Sequence, residues 1–257
     1  LQYIRNQPAK GTPLNWMEGI GHAKGEWIKI IHDDDWLSSP DALQHYAAAV
    51  QPGIDCIFSG YIAYYESDGK KVDKTISQTA FRRISNHPFY LFASNELGPP
   101  SVVMFRKTMA ALYDPSLKWL VDLEAYIRML QRYACTYVSQ PLIIMSYNAT
   151  QVTNDCFRNP DVEIREALVY YRKQGAATHS RLLTYDAWWR LLRNLSIRTN
   201  EALMHHAHGE QVPVFLQQIR TFQSALPPAL LQVRVLSKIF MFVCYVLNSI
   251  RGFNHHH

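Results

Sequence analysis

Charged side chains are scarce in this sequence, at 18% of 257 residues against roughly 25% in an average globular chain. With hydrophobic residues at 48%, that scarcity excludes an intrinsically disordered chain, which combines low hydrophobicity with high net charge. Cysteine is thin as well. Cys56, Cys135, Cys156 and Cys244 have no CxxC spacing, which argues against a zinc cluster or a disulfide framework and for reduced thiols in a cytosolic compartment. The 11 glycines and 13 prolines follow no period, so collagen-like and low-complexity readings fail, and no internal repeat is visible. The longest unbroken apolar run, Ile239 to Leu247, is far short of the roughly 20 residues of a spanning helix. No signal peptide is expected at the start, and His255, His256 and His257 read as a tag remnant (253–257) outside the fold.

What is present is core material and a lopsided charge. Aromatic residues reach 12%, and the length suits one large domain or a domain with an extension. The net charge of +5 is not spread evenly: residues 1–156 sum to −1 and residues 157–257 to +6. An excess of that kind in one part suggests an anionic partner, membrane surface or nucleic acid.

Residues 1–155 read as mixed α/β. Thr12-Pro13 is a cap and first-turn proline opening a helix to about Ala23, with Gly25 as its stop. Trp27 to Ile31 is a short β run ending in His32-Asp33-Asp34-Asp35, and such acidic residues are expected on the loop at the strand's end. Pro40-Asp41 starts a second helix, Ile54 to Tyr65 is a strand, and Ser67 to Lys70 is a turn. Residues 75–97 read as irregular, Ser101 to Phe105 as a strand leading to a helix, and 122–132 as a helix. Thr136–Val138 and Leu142–Tyr147 are expected as two strands split by Pro141. Beyond residue 155 the β signal vanishes, and helices are expected over 160–174, 184–205, 211–225 and 229–251.

Three consecutive carboxylates raise one another's pKa. A hard divalent cation relieves that repulsion, and Mg²⁺ characteristically combines one or two carboxylates with substrate phosphates. The ordinary alternative is a solvated acidic turn ahead of the helix at Pro40.

The surrounding string is Gly11-x-x-x-Asn15-Trp16-x-x-Gly19-Ile20-x-x-Ala23-x-Gly25-Glu26-Trp27-Ile28, followed by Asp34-Asp35-Trp36-Leu37. Downstream come Pro100-Ser101-x-x-x-Phe105-Arg106-Lys107, then Trp119-Leu120-Val121-Asp122-Leu123-Glu124-x-Tyr126-x-Arg128, then Pro141-Leu142, Tyr147 and Gln151-Val152-Thr153. Taken in order over residues 4–155, these motifs resemble the bacterial family 2 glycosyltransferases. The resemblance implies a partial GT-A (Rossmann-like) domain over 1–155, incomplete at its N-terminal nucleotide-binding strands, followed by a helical extension over 156–252. It implies an inverting, metal-dependent hexosyltransferase-type enzyme with a nucleotide-sugar donor and a glycan or lipid-linked acceptor, in surface polysaccharide or glycolipid synthesis.

By the same resemblance Asp34 and Asp35 serve Mn²⁺ or Mg²⁺ and the donor phosphates, Asn15, Asp33, Asp34 and Arg128 lie on the donor side, and Pro100, Ser101 and Trp119 on the acceptor side. Asp122 is the general base, since inversion needs a carboxylate to take the acceptor's proton. On spacing alone Asp122 is also readable as a helix N-cap, and Arg128 reads more often as a surface or ion-pairing residue. Two positions depart from the pattern: His32 stands where many members carry an acidic residue, and Asn148 where many carry a metal-shell His. These departures favour the alternative, a non-catalytic GT-A-like scaffold associated with a membrane.

The 156–252 extension is basic and amphipathic. Residues 229–251, with Arg234 and Lys238 four apart, suit an anionic membrane surface, and Trp188-Trp189 with Arg190 and Arg193 suit an aromatic-and-basic anchor. Packing on the body or on a second copy of the chain is the alternative. A nucleic-acid partner is not expected, because the basic residues are diluted by long apolar stretches. The expected location is cytoplasmic and peripheral on the plasma membrane's inner face. His205, His206 and His208 have the look of a ligand set, but with no carboxylate close in sequence they read as a surface helix end.

Overall fold

The computed structural model describes residues 2–109, 112–148, 155–175, 178 and 181–250. It divides into two compact units, Leu1–Asn154 and Asp155–His257. The first is mixed α/β and the second helical.

The first unit is organised around a six-stranded sheet. In chain order its elements are α1 (Leu14–His22), β1 (Trp27–Lys29), β2 (Asp35–Leu37), α2 (Ala42–Ala48), β3 (Cys56–Tyr65), β4 (Lys70–Lys74), α3 (Gln78–Asn86) and α4 (Tyr90–Ala93). A 3₁₀ turn at Pro100–Val102 leads into β5 (Val103–Arg106), followed by α5 (Val121–Arg132) and β6 (Cys135–Tyr147). The order across the sheet is β1-β5-β3-β6-β2, with β4 pairing beside β3. β3 and β6 run parallel from Cys56↔Cys135 to Tyr65↔Tyr147, whereas β5, β4, β1 and β2 join antiparallel.

A strand covered on both faces reads as a continuous apolar run rather than an alternating one, and β3 is such a strand. Ile57 faces α2 in a cluster with Ala42, Tyr46, Met104 and Leu142. Phe58, on the other face, meets Tyr126 of α5 edge-on at 5.1 Å and Phe81 of α3 at 6.1 Å. Side chains of period two thus bury into two layers, one below α2 and one below α3 and α5.

Several expectations are corrected here. Residues 75–97 are not irregular: Ser77 caps α3, its hydroxyl accepting from the Ala80 amide at 3.1 Å. Asp35 is not on the loop but opens β2, paired with Met145 and buried, because the ladder to β6 outweighs its poor strand propensity. Thr12 does not cap α1; Pro13 stands at the cap position without a side-chain bond. Pro141 does not split two strands. The β3–β6 register slips between Ser59/Gly60 and again between Gly60/Tyr61, and Ser139 and Gln140 loop out exposed before Pro141. A bulge is where a strand tolerates a residue with no amide hydrogen.

The second unit contains α6 (Pro160–Gln174), α7 (Leu182–Asn194), α8 (Asn200–His206), α9 (Val214–Ser224), α10 (Pro228–Gln232) and α11 (Arg234–Ile250). The helix expected over 184–205 is two helices, broken at Ser196 with φ 55° and restarted by Thr199, whose hydroxyl caps Ala202 at 3.1 Å. The one expected over 229–251 breaks at Val233, whose backbone is extended. Trp188 and Trp189 are corrected from surface anchors to core: both are fully buried, Trp188 edge-on to Phe215 at 5.9 Å and Trp189 donating its indole N–H to Ser237 at 3.0 Å. Burying an indole removes more apolar area than any other side chain can, which outweighs an interfacial role here. Among the described residues no helix is long and apolar enough to cross a membrane.

Gly60 sits in the bulge between two backbones. A Cβ there would lie 2.6 Å from the Thr75 methyl, 3.1 Å from the Lys74 carbonyl and 3.2 Å from the Gln140 carbonyl. Gly60→Ala is therefore expected to cost about 1–3 kcal/mol by overpacking, read as a lower urea midpoint with an unchanged m-value.

Candidate functional site

β1 and β2 flank the acidic cluster, so the turn between them is held at both ends by the sheet. Asp33 and Asp34 occupy that turn and Asp35 is the first residue of β2. The residue identities of the turn follow from this. Asp33 points out and is exposed, Asp34 is half-buried, and Asp35 turns inward with 8% of its surface exposed.

His32, Asp34 and Asp35 each bring one ligand atom within 4.8 Å of the others. His32 Nδ1 lies 3.8 Å from Asp35 Oδ2. Asp35 Oδ2 and His32 Nε2 are buried and have no hydrogen-bond partner among the described residues. Such orphaned atoms are costly and rare, and call for an explanation. Neighbours fix the rest of the set. The Ser101 hydroxyl oxygen accepts from the His32 amide at 3.0 Å, and Ser101 also hydrogen-bonds the Asp35 carboxylate, as does the Ser146 backbone. Asn148 Nδ2 donates to Asp34 Oδ2 at 3.4 Å. Asp34, Asp35, Ser101 and Asn148, named from sequence, are thus together, and His32 joins them as a member of the cluster.

Burial pushes Asp35 up to about 6, aided by the charge of Asp34 and opposed by the bonds from Ser101 and Ser146. Burial also lowers His32, keeping its imidazole neutral and its nitrogen lone pair available. Beneath the cluster lies a half-buried lysine that sequence reading missed. Lys29 Nζ donates to the Tyr46 hydroxyl at 2.9 Å and to the carbonyls of Ser101 and Val103. Its burial lowers it from 10.5 to about 7, against the pull of Asp35.

The wall continues through aromatic rings. Trp16 of α1 stacks on His32 at 5.0 Å and meets Tyr113 edge-on at 5.1 Å. Tyr113 is buried, and its hydroxyl is pushed up first by burial and then by the charge of Asp122. Asp122 lies in the first turn of α5, half-buried. One oxygen accepts from the Leu123 amide at 2.7 Å and the other from Asn95 Nδ2 at 3.2 Å. Asn95 is itself pinned, its carbonyl oxygen accepting from the Leu97 and Gly98 amides at 3.2 Å each. Asp122 is not an N-cap; Leu120 holds that position without a side-chain bond. Asn95 and Tyr113 escaped the sequence reading. The only pointer to Asn95 was its place just before the Gly98-Pro99-Pro100 turn.

Other residues named from sequence fall elsewhere. Asn15 is exposed on α1, accepting from Asn6 at 2.8 Å. Pro100 is buried in the 3₁₀ turn that carries Ser101, and Trp119 is half-buried ahead of α5. Arg128 departs from the donor-side expectation: its guanidinium forks onto Glu124 at 2.8 and 3.1 Å and also reaches the Leu112 carbonyl. Glu124 is buried, and a planar fork matches a buried carboxylate better than water does. This pair ties the segment bearing Tyr113 to α5. The segment Gln151-Val152-Thr153 lies outside the described residues.

Fold and site thus define a mixed α/β unit with a curled sheet, an imidazole–carboxylate cluster and a second, separately held carboxylate. No family model matches the chain. Over 166 residues it is 28% identical to the uncharacterized protein MT1568 of Mycobacterium tuberculosis (strain CDC 1551 / Oshkosh), a match covering 58% of this chain and 51% of that protein. Over 76 residues it is 32% identical to a protein of Bacillus subtilis (strain 168) named "Putative glycosyltransferase EpsH", covering 30% of this chain and 22% of that one. The matches therefore span about half the length of the first relative and about a fifth of the second. The chain carries a distant, partial similarity to a glycosyltransferase.

The Lys29 shift fixes a stability profile. Between pH 7 and 10 the unfolded chain keeps this proton while the folded chain has shed it. The unfolded state then binds more protons, so stability rises with pH across that window, by at most about 1.4 kcal/mol per unit. Below about pH 7 both states hold the proton and the contribution is flat. Urea midpoints at pH 7, 8 and 9 are expected to climb in the wild type relative to Lys29→Met.

Proposed function

We propose that the 1–155 unit is part of a GT-A-type, family 2 glycosyltransferase that moves a sugar from a nucleoside-diphosphate donor to a hydroxyl acceptor with inversion. The observation that carries this reading is the convergence of His32, Asp34 and Asp35, each with one ligand atom within 4.8 Å of the others, around the buried and unpartnered Asp35 Oδ2, which lies 3.8 Å from His32 Nδ1. A neutral imidazole and two carboxylates are a donor set suited to a divalent cation. His32, Asp34 and Asp35 would hold Mn²⁺ or Mg²⁺, with Asn148 steadying Asp34. The cation, when bound, supplies positive charge against the leaving diphosphate.

The chain's own residues account for the rest. Asp122, oriented by Asn95, accepts the acceptor hydroxyl's proton as that oxygen bonds to the anomeric carbon, and the bond from that carbon to the donor phosphate breaks with its electron pair leaving on the diphosphate. Ser101 holds the backbone of His32 and the carboxylate of Asp35, which keeps the ligand atoms converged before the donor arrives. Asp33, exposed beside the cluster, and Asn15 on α1 are assigned to the donor. Pro100, Ser101 and Trp119 line the acceptor approach in this reading. Arg128 acts as a positioning residue through Glu124 and Leu112.

A separate feature favours a lipid-surface partner for the second unit. α11 turns small and polar residues inward, Ser237, Asn248 and Cys244 with Met241, and leaves Val235, Ile239, Phe242, Val243, Val246 and Ile250 exposed along one face. A buried helix ordinarily does the reverse. The stripe is about 24 Å long at 1.5 Å per residue, and it suits a helix lying flat in a bilayer interface near a lipid-linked acceptor. Lys238 contributes less than expected, because its ammonium is held by Asp186 at 2.7 Å.

Two measurements test these readings. With Mn²⁺ and nucleoside diphosphates (UDP, GDP, CDP, dTDP), one nucleotide is expected to raise the melting midpoint in a metal-dependent way, and Asp34→Ala/Asp35→Ala to abolish the rise. In sugar-transfer assays on the full-length protein, Asp122→Asn should lower kcat at least about a hundredfold while that rise persists. A folded protein that binds no nucleotide would leave the scaffold alternative. For the lipid surface, Ile239→Asp/Phe242→Asp should weaken sedimentation with phosphatidylserine vesicles more than about tenfold, since each side chain is worth roughly 1.5–3 kcal/mol of transfer. Unchanged sedimentation, or a concentration-dependent dimer lost in the variant, would assign the face to something other than lipid.

A further inference from the structure

The fold of the second unit supplies what the sequence around His205, His206 and His208 lacks. Asp161, in the first turn of α6, stands 45 positions from His206 in the chain and directly beside it in space. One carboxylate oxygen, Asp161 Oδ1, meets His206 Nδ1 at 2.8 Å and His208 Nε2 at 3.0 Å. His205 completes the group: its ring lies 5.0 Å from that of His206 and 6.2 Å from that of His208, centroid to centroid. Asp161, His205 and His206 each bring one ligand atom within 4.8 Å of the others.

Both ends of this cluster are fixed by backbone structure rather than by long flexible side chains. Asp161 is placed by Asn159, the α6 cap, whose side-chain oxygen accepts from the Asp161 amide at 3.1 Å. α8 is started by Thr199 and ends at His206. His208 then takes a φ of 49°, the left-handed region that only glycine enters freely, and this turns its ring back toward Asp161. Leu203 and Ala207 are buried beneath the cluster, so α8 offers its histidines from a seated helix.

We propose that Asp161, His205 and His206, with His208 beside them on Asp161, form a binding site for a divalent transition-metal cation, zinc first, independent of the carboxylate-rich cluster at His32. The chemistry selects the ion. Imidazoles with a carboxylate are the ligand types of zinc, cobalt and nickel, whereas Mg²⁺ and Ca²⁺ take oxygen ligands. Ligand atoms around a tetrahedral zinc with bonds of about 2.0–2.1 Å stand roughly 3.3 Å apart. The 2.8 Å contact of His206 with Asp161 needs to open by only a few tenths of an ångström to admit the ion, and His205 brings a ligand atom within 4.8 Å of both. Bound there, the ion would clamp the end of α8 to the start of α6.

The test uses the whole chain in a background where two other binders are removed: His255→Ser, His256→Ser and His257→Ser at the terminus, and Asp34→Asn with Asp35→Asn at the first cluster. Zn²⁺ is titrated against a chromophoric chelator, and Co²⁺ is added separately to read its visible absorption. One equivalent of Zn²⁺ is expected to bind, with the intense d–d bands of four-coordinate Co²⁺. His205→Gln, at an exposed position that leaves both hydrogen bonds to Asp161 in place, and Asp161→Asn should each weaken binding about tenfold or more, which corresponds to about 1.4 kcal/mol. Circular dichroism confirms that each variant is folded. Binding of equal strength in both variants, or no stoichiometric zinc in the folded background protein, overturns the assignment.

Discussion

The parallel ladder between Cys56–Tyr65 and Cys135–Tyr147 constrains everything else in the first unit. Parallel neighbours cannot be joined by a tight turn, so the chain between them must leave the sheet and return. It does so through α3 and α5, which cover one face with Phe81 and Tyr126 against Phe58, while β4 and β5 rejoin the sheet beside β3. Because β3 and β6 are already paired with each other, only their outer edges are open. β5 takes one and brings Ser101 with it, while β2 takes the other and brings Asp35. Ser101 and Asp35 then meet across the turn that carries His32, although 66 positions separate them in sequence. The candidate site is a consequence of which edges were left.

That geometry has an energetic cost, concentrated at Lys29. An ammonium removed from water is costly unless hydrogen-bonded, and here it finds the Tyr46 hydroxyl and two backbone carbonyls of the β5 approach. Tyr46 in turn donates to the Val102 carbonyl at 2.9 Å and lies 2.6 Å from the Ser59 hydroxyl. This network stitches β1, α2, β3 and the 3₁₀ turn at the depth where an apolar contact alone would not fix register. Below about pH 7, where Lys29 keeps its proton, it also sets a positive charge near Asp35.

Elements governed by local periodicity were legible in the sequence: α1, α2, β3 and α5 are where apolar spacing and turn residues put them. Asp34, Asp35, Ser101 and Asn148, picked from an ordered family-like pattern that needs no distances, are brought together by the fold. What escaped was set by non-local pairing. Asp35 entered a strand because β6 offered it a partner, and Pro141 stayed inside one because β3 slips register opposite it. The partner of Arg128 was not legible either: its fork meets Glu124, one helical turn earlier and buried. The two tryptophans of α7 were read as surface because Arg190 and Arg193 stand beside them. Those arginines are instead satisfied locally, Arg190 by Asp186 at 3.0 Å and Arg193 by Ser237 at 2.9 Å. Once its charge is paired, a basic residue no longer marks the surface.

The same pairing explains how α11 comes to be inside out. Its inner face must meet groups already committed in α7: the Trp189 indole N–H, the Arg193 guanidinium and the Tyr185 hydroxyl all need partners away from water. Ser237 serves the first two, and Asn248 donates to Tyr185 at 2.6 Å. Small polar residues therefore occupy the positions that leucine or isoleucine would fill in an ordinary amphipathic helix. The apolar residues of α11 are displaced to the opposite side by helical geometry, since residues at i, i+4, i+7 and i+11 share one face. Asp186 then draws Lys238 sideways, which strips charge from the margin of the exposed stripe. An apolar face left outward by such polar commitments inside is a surface that folding alone does not use, and its stabilisation has to come from what it touches.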